Sequence, residues 1–193
     1  VGCNGSGKST LVDAILTLLV PSSIRNYNVA AGAKKTERNE KSYIRGAYGR
    51  GNNDDTQTAI IKYLRPQGNH LTALLAVFRD EQADRAFTLC QVLSLAGDAS
   101  DQVYAIADDV RGLKQDLAGL HNSDQIRGHL QRLGYHTTKS FSEYSGWISK
   151  RTGMRSKAMD MFNQTVAVKD IQSLNDFIRK HMLEGQGWRE KVQ

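Results

Sequence analysis

The sequence predicts an α/β fold: a glycine-rich loop feeds a helix, an antiparallel β meander follows, and a helical lobe completes the chain. Three observations carry that expectation. Residues Gly2-Cys3-Asn4-Gly5-Ser6-Gly7-Lys8-Ser9-Thr10 satisfy G-x-x-x-x-G-K-[ST] in full. Segments 58–65, 70–78 and 86–95 are rich in Ile, Leu, Val, Phe and Thr, the composition of strands. Beyond Gly97 the apolar residues recur at helical spacing.

The opening motif is a phosphate-binding P-loop. Its glycines let backbone N–H groups from Asn4 to Ser9 turn toward a polyphosphate, Lys8 supplies a point charge to the β- and γ-phosphates, and the Ser9 hydroxyl is a Mg²⁺ ligand. Asn4, Gly5, Ser6, Gly7, Lys8, Ser9 and Thr10 are therefore the candidate ATP-binding residues. The residues after the motif argue against a merely flexible Gly/Ser turn. Leu11, Val12, Ile15, Leu16, Leu18 and Leu19 are spaced for a buried helix starting near Lys8, and Pro21 stops it. Its positive dipole end adds to the anion site. The strand expected before a P-loop is represented by Val1 alone, so the sequence reads as a fragment whose beginning has been removed.

The polar stretch 22–57, with glycines at 32, 46, 49 and 51, reads as a long loop, and such loops are usually functional. Pro66-Gln67-Gly68-Asn69 is a turn signal that would join 58–65 and 70–78 in an antiparallel hairpin. Helices are expected at 110–117, at 123–133 with Ser123 as N-cap, and at 142–150, 156–162 and 170–183. A Walker B strand needs an apolar run ending in Asp. Val77-Phe78-Arg79-Asp80-Glu81 is interrupted by Arg79, and Tyr104-Ala105-Ile106-Ala107-Asp108-Asp109 is too weakly apolar for a central strand.

With 39% apolar residues the chain can bury a core, and no run of about 18 apolar residues marks a membrane span. No secretory signal opens it. Two separated cysteines, Cys3 and Cys90, argue for a reducing compartment, and the five histidines show no zinc spacing. Cytoplasm is the expected location. The net charge of +6 is uneven: 34–50 holds six bases against two acids, net +4; 80–116 holds three against eight, net −5; 127–169 holds eight against two, net +6. Two basic segments flanking an acidic one imply a polyanion-facing surface and an opposite acidic one.

The start G-x-N-G-S-G-K-S-T, followed by Leu11-Val12-Asp13-Ala14-Ile15, resembles the N-terminal half of SMC-type ATPase heads, whose signature and Walker B lie at the far end of a very long chain. Residues 25–31 (RNYNVAA), 40–49 (EKSYIRGAYG) and 162–166 (FNQTV) are similar to the MukB-like SMC subunits of Mks and Wadjet (JetC) systems, a likeness that covers nearly the whole chain. The resemblance implies an ABC-type P-loop NTPase head lobe. Its P-loop and β lobe would occupy about 1–97, a helical lobe with the Q-loop about 98–183, and the start of a coiled coil about 184–193. It also implies two heads sandwiching ATP and Mg²⁺, kleisin and KITE subunits, a nuclease subunit in defence systems, and DNA as the nucleoid-associated substrate. Gln164 falls at the Q-loop glutamine, which with Ser9 would hold Mg²⁺ and orient the attacking water, making Lys8 and Gln164 the catalytic pair of this half. Lys34, Lys35, Arg38 and Arg45, with Arg25 nearby, lie where related heads direct bases toward DNA or nucleotide.

Three readings remain open from sequence: an SMC-like motor head, a RecF-like or repair ABC ATPase, and an ATP-gated DNA-binding scaffold without motor activity. A P-loop nucleotide kinase is disfavoured, because kinases of that class are compact parallel α/β chains whereas this one carries an antiparallel meander.

Overall fold

The computed structural model describes residues 7–25, 39–52, 59–65, 68, 70–120, 123–154 and 156–167. In chain order the elements are α1 (Lys8–Leu19), α2 (Glu40–Arg45), β1 (Ala47–Asn52), β2 (Ala59–Tyr63), β3 (His70–Asp80), β4 (Arg85–Ala96), β5 (Ala99–Ala107), α3 (Leu113–Leu117), α4 (Ser123–Arg132), β6 (His136–Thr138), α5 (Phe141–Thr152) and α6 (Ser156–Ala167). Strands β3 to β6 form one antiparallel sheet in chain order, and β1 pairs with β2 in a separate ribbon. The fold is mixed α/β with antiparallel sheets, as expected.

Helices cover both faces of the four-stranded sheet. On one face Cys90, Val92, Val103, Ala105 and Ala107 pack against Ile126 and Leu130 of α4 and against Tyr135. On the other, Leu89, Tyr104 and Ile106 meet Leu18 of α1, Tyr144 and Ile148 of α5, and Met159 of α6. The two-residue alternation of β4 and β5 sends successive side chains to opposite cores. Ile44 of α2 joins Leu93 and Leu95 in a third cluster. Burial pushes the Cys90 thiol up to about 12, so it behaves as a packing residue. A buried polar joint locks α3: the Tyr135 hydroxyl donates to the Asp116 carboxylate at 2.7 Å, the Asp116 carbonyl lies 2.7 Å from His129 Nε2, and Arg111 sits 5.2 Å from the Tyr135 ring centroid.

Four expectations are corrected. First, 58–65 and 70–78 do not form a hairpin. Leu64 N–H donates to Gly46 O and Arg65 N–H to Arg45 O, extending the β1–β2 pairing, while β3 pairs with β4 along its whole length. Second, the stretch around Tyr104 is an interior strand, β5, between β4 and β6. Tyr104, Ala105 and Ile106 are fully buried there, and small alanines suit a strand with helices on both sides. Third, the polar stretch 22–57 contains α2 and β1; α2 is set by a capping box between Asn39 and Ser42 and ends at Gly46 with φ 68°. Fourth, α6 continues past 162 to Ala167, so Gln164 lies within a helix and not after one. The expected helix at 170–183 and the coiled-coil start at 184–193 lie outside the described residues.

Candidate nucleotide site

Helix α1 begins at Gly7, whose φ of 81° and ψ of 11° place it in the left-handed region. A Cβ there would meet nothing within 4 Å, so glycine is favoured at this position by backbone conformation alone. The first helical bond runs from Leu11 N–H to Gly7 O at 3.0 Å. The N–H groups of Lys8, Ser9 and Thr10 precede it and have no helical acceptor. The N-cap, Gly7, has no side chain to cap this end, and the first turn holds no acid. Those are the conditions for an anion at a helix N-terminus, and they fit the phosphates of a nucleotide. Asn4, Gly5 and Ser6, and the side chains of Lys8 and Ser9, lie outside the described residues.

The rest of α1 is built to stay still. Leu16 and Thr17 are fully buried and Leu18 nearly so. Arg25 is buried and donates to Val20 O at 2.8 and 3.1 Å and to Thr17 O at 3.0 Å, capping the helix's C-terminal end. It also meets Glu40 of α2 at 3.4 Å. Arg25 is thus a buried bracket, not a base facing ligand as the sequence implied.

A cleft of about 210 Å³ opens beside the N-terminal half of α1. Thr10 and Asp13 form one wall, Asn39, Ser42 and Tyr43 of the α2 region another, and Leu64, Arg65 and Thr72 complete it. Arg65 is fixed by donating to Ile44 O at 2.6 and 3.0 Å. Sequence reasoning missed this cleft because α2 and β1 were read as loop and the strand at 58–65 was paired with 70–78; the capping-box pair Asn39 and Ser42 was the signal that would have found α2.

The other candidates are placed differently. Asn163 of α6 donates to Ile24 O at 2.9 Å, and Met159 packs on Leu18, so α6 lies beside the C-terminal end of α1. These contacts lie at the opposite end of α1 from its open N-terminus; the side chain of Gln164 lies outside the described residues. Arg45 stacks 5.8 Å from the Tyr63 ring centroid. Lys34, Lys35 and Arg38 lie outside the described residues.

The charge blocks separated in sequence are interleaved in space. Lys41 pairs with Asp98 at 3.5 Å, Lys139 with Asp101 at 2.6 Å, and Arg151 with both oxygens of Asp108 at 2.5 and 2.8 Å. The antiparallel turns bring the ends of β5 against α2 and α5, so these bases do not form the separate basic face expected from composition. Arg151 holds the Asp108 carboxyl below the usual carboxylate range, chiefly through its hydrogen bonds. The Asp80 carboxylate accepts from Gln82 and Ala83 N–H in the β3–β4 turn. Asp109 pairs with Arg111 at 2.6 Å, so each of the three aspartates in the rejected Walker B candidates has a partner away from the P-loop helix. A second cleft, of about 420 Å³, lies between Arg85, Asp108 and Arg151. It sits roughly 27 Å from Thr72 along β3 and has no P-loop beside it.

A complete G-x-x-x-x-G-K-[ST] motif at an open, acid-free helix N-terminus within a mixed α/β fold defines a P-loop NTPase fold. In agreement, residues 1–34 match the family model described as the P-loop containing region of an AAA domain, which spans the loop and all of α1. The start of the chain is thus a P-loop region of ATP-binding type. No curated protein matches the chain. Among the described residues no helix is long and apolar enough to cross a membrane, and no group of His, Cys, Asp and Glu is arranged to hold a metal ion.

Proposed function

We propose that this chain is the ATP-binding N-terminal part of an SMC-like head of the MukB-like type, coupling ATP hydrolysis to DNA translocation or loop extrusion, in plasmid defence or in chromosome organisation. The observation that carries the nucleotide half is the open N-terminus of α1 behind Gly7 and beside the 210 Å³ cleft. The condensin half rests on the sequence resemblance at 25–31, 40–49 and 162–166. In this reading the triphosphate lies on the loop from Asn4 to Ser9, Lys8 neutralises it, and base and ribose enter the cleft between α1 and α2. Mg²⁺, held by Ser9, supplies charge neutralisation between the phosphates. Gln164 reaches this end only if α6 shifts or unwinds after Phe162 as two heads close on ATP. The C-terminal head half supplies the remaining carboxylate, kleisin and KITE subunits complete the complex at the nucleoid, and Lys34, Lys35, Arg38 and Arg45 contact DNA.

The family match stops at residue 34 and specifies only a P-loop. That favours keeping a second reading, a RecF-like or repair ATPase or an ATP-gated DNA scaffold, with the same nucleotide site.

Fluorescent-nucleotide titration of the 193-residue chain tests the shared part: ATP should bind, and Lys8→Ala should weaken it at least tenfold with the fold intact. Retained affinity in that variant refutes the nucleotide site. Single-molecule DNA shortening by the complex reassembled with the C-terminal half then separates the readings. ATP-dependent shortening supports the motor, and hydrolysis without shortening supports the scaffold.

A further inference from the structure

Helix α2 is a short element with unequal anchoring. Its C-terminal end is held by Ile44, fully buried against Leu93 and Leu95, and by Arg65, which donates to Ile44 O. At its N-terminal end stand Asn39 and Ser42, both lining the nucleotide cleft. Their capping box is local, satisfying backbone groups within α2 without attaching it to anything else. The side chain that reaches from this end toward α1 is Glu40, in ion-pair contact with Arg25 at 3.4 Å. Arg25 in turn is locked to the last turn of α1 through Thr17 O and Val20 O, and its side chain is 1% exposed against 18% for Glu40. The guanidinium therefore bonds one helix with one part of its fork and the other helix with the rest, in the fixed planar geometry that distinguishes it from an ammonium.

We propose that the Arg25–Glu40 pair is a positioning device for the nucleotide cleft: it holds the N-terminal end of α2 against α1 and so sets the separation of the walls formed by Thr10 and Asp13 on one side and Asn39 and Ser42 on the other. This rests on the reading of the cleft as the base-and-ribose pocket. Neither residue touches the nucleotide. The pair joins residues 15 apart in sequence and ties the cleft wall to the buried P-loop helix, while the exposed Lys41–Asp98 pair and Tyr43 tie α2 to the sheet side.

The consequence is selective. A ligand that spans the loop and the cleft feels the wall position, whereas a ligand confined to the loop does not. The experiment compares ATP with inorganic tripolyphosphate, each competed against a fluorescent ATP analogue on the 193-residue chain and its Glu40→Gln variant. Because Glu40 is part-exposed and Gln keeps its shape, this variant should fold, and the melting temperature checks it; Arg25→Lys is the second variant. The expected result is about tenfold weaker ATP binding in both variants, equivalent to about 1.4 kcal/mol, with tripolyphosphate affinity within about twofold of the parent. Unchanged ATP affinity overturns the proposal, and so does a parallel loss for both ligands, which marks a merely structural role. If the parent chain binds neither ligand, the nucleotide reading itself fails, an outcome distinct from failure of the positioning pair.

Discussion

Substituting Gly7 isolates one physical effect at the start of the P-loop helix. Its backbone is left-handed at φ 81°, and a Cβ added there meets no atom within 4 Å. Steric collision is therefore absent, and the penalty for alanine is the intrinsic one for an L-residue in this region, about 1–2 kcal/mol. Asparagine visits this conformation more readily, and a β-branched valine least readily. The strain has two places to appear. If the loop stays left-handed without ATP, stability falls. If it relaxes until ATP restores it, stability is kept and affinity falls by about 5- to 30-fold. The sum of the two losses is fixed by the bound conformation, so urea unfolding and ATP titration on Gly7→Asn, Gly7→Ala and Gly7→Val should give summed losses rising in that order. A Gly7→Val chain as stable and as tight as Gly7→Asn would refute the conformational argument, and with it the claim that this residue presets the phosphate cradle.

Two further predictions concern the scaffold. Tyr135→Phe removes the donor that satisfies the buried Asp116 carboxylate, so it should destabilise by about 1–3 kcal/mol in urea melts, more than a surface hydroxyl deletion of about 0.5 kcal/mol. Asp108→Asn breaks a pair whose carboxylate is largely exposed, so at pH 7 it should change stability by no more than about 0.5 kcal/mol. The sign with pH is set by the depressed folded pKa: Asp108 stabilises above its unfolded value of roughly 4 and loses that contribution as pH falls through the lower folded value. Any gap between parent and variant in thermal melts should therefore close as pH falls through the lowered folded value, and a gap that widens there contradicts the assignment.

The legible parts of this fold are those where one local rule decides the structure. The leucines after Lys8 fix α1, and the branched apolar runs fix β3 and β4, because burial and period agree. Strand β5 was hidden because it is covered on both faces: its Val103, Ala105 and Ala107 meet α4 while Tyr104 and Ile106 meet α1 and α5, giving a run with no polar alternation in which two alanines dilute the strand formers. Strand β6 has three residues, too few for any period. The pairing of β2 with β1 depends on Arg65 and Leu64 bonding back to Arg45 and Gly46, a nonlocal choice that the turn residues 66–69 do not announce. At the candidate site the motif named the loop and helix, but the second wall of the cleft depends on how α2 docks, and on Arg25 being drawn inward. A charged residue in a polar stretch reads as surface until the carbonyls it will cap are known.

That inward arginine explains an asymmetry of α1 with functional weight. Both ends of a helix carry unpaired backbone groups and opposite partial charges. At the C-terminal end the carbonyls of Thr17 and Val20 receive a buried guanidinium, so the partial negative charge is matched within the protein. At the N-terminal end the N-cap is Gly7, which has no side chain to cap the helix, and no acid stands in the first turn. The fold thus compensates one pole and leaves the other for a ligand. Because Leu16 and Leu18 fix the helix against the core, the open N–H groups are already oriented when an anion arrives, and binding incurs little reorganisation. The contacts of α6, through Asn163 and Met159, are made at the compensated pole, so the proposed role of Gln164 at a γ-phosphate would require α6 to move toward the open one. In the proposed SMC-like reading, hydrolysis by this half of the site would therefore require a conformational step as well as a chemical one.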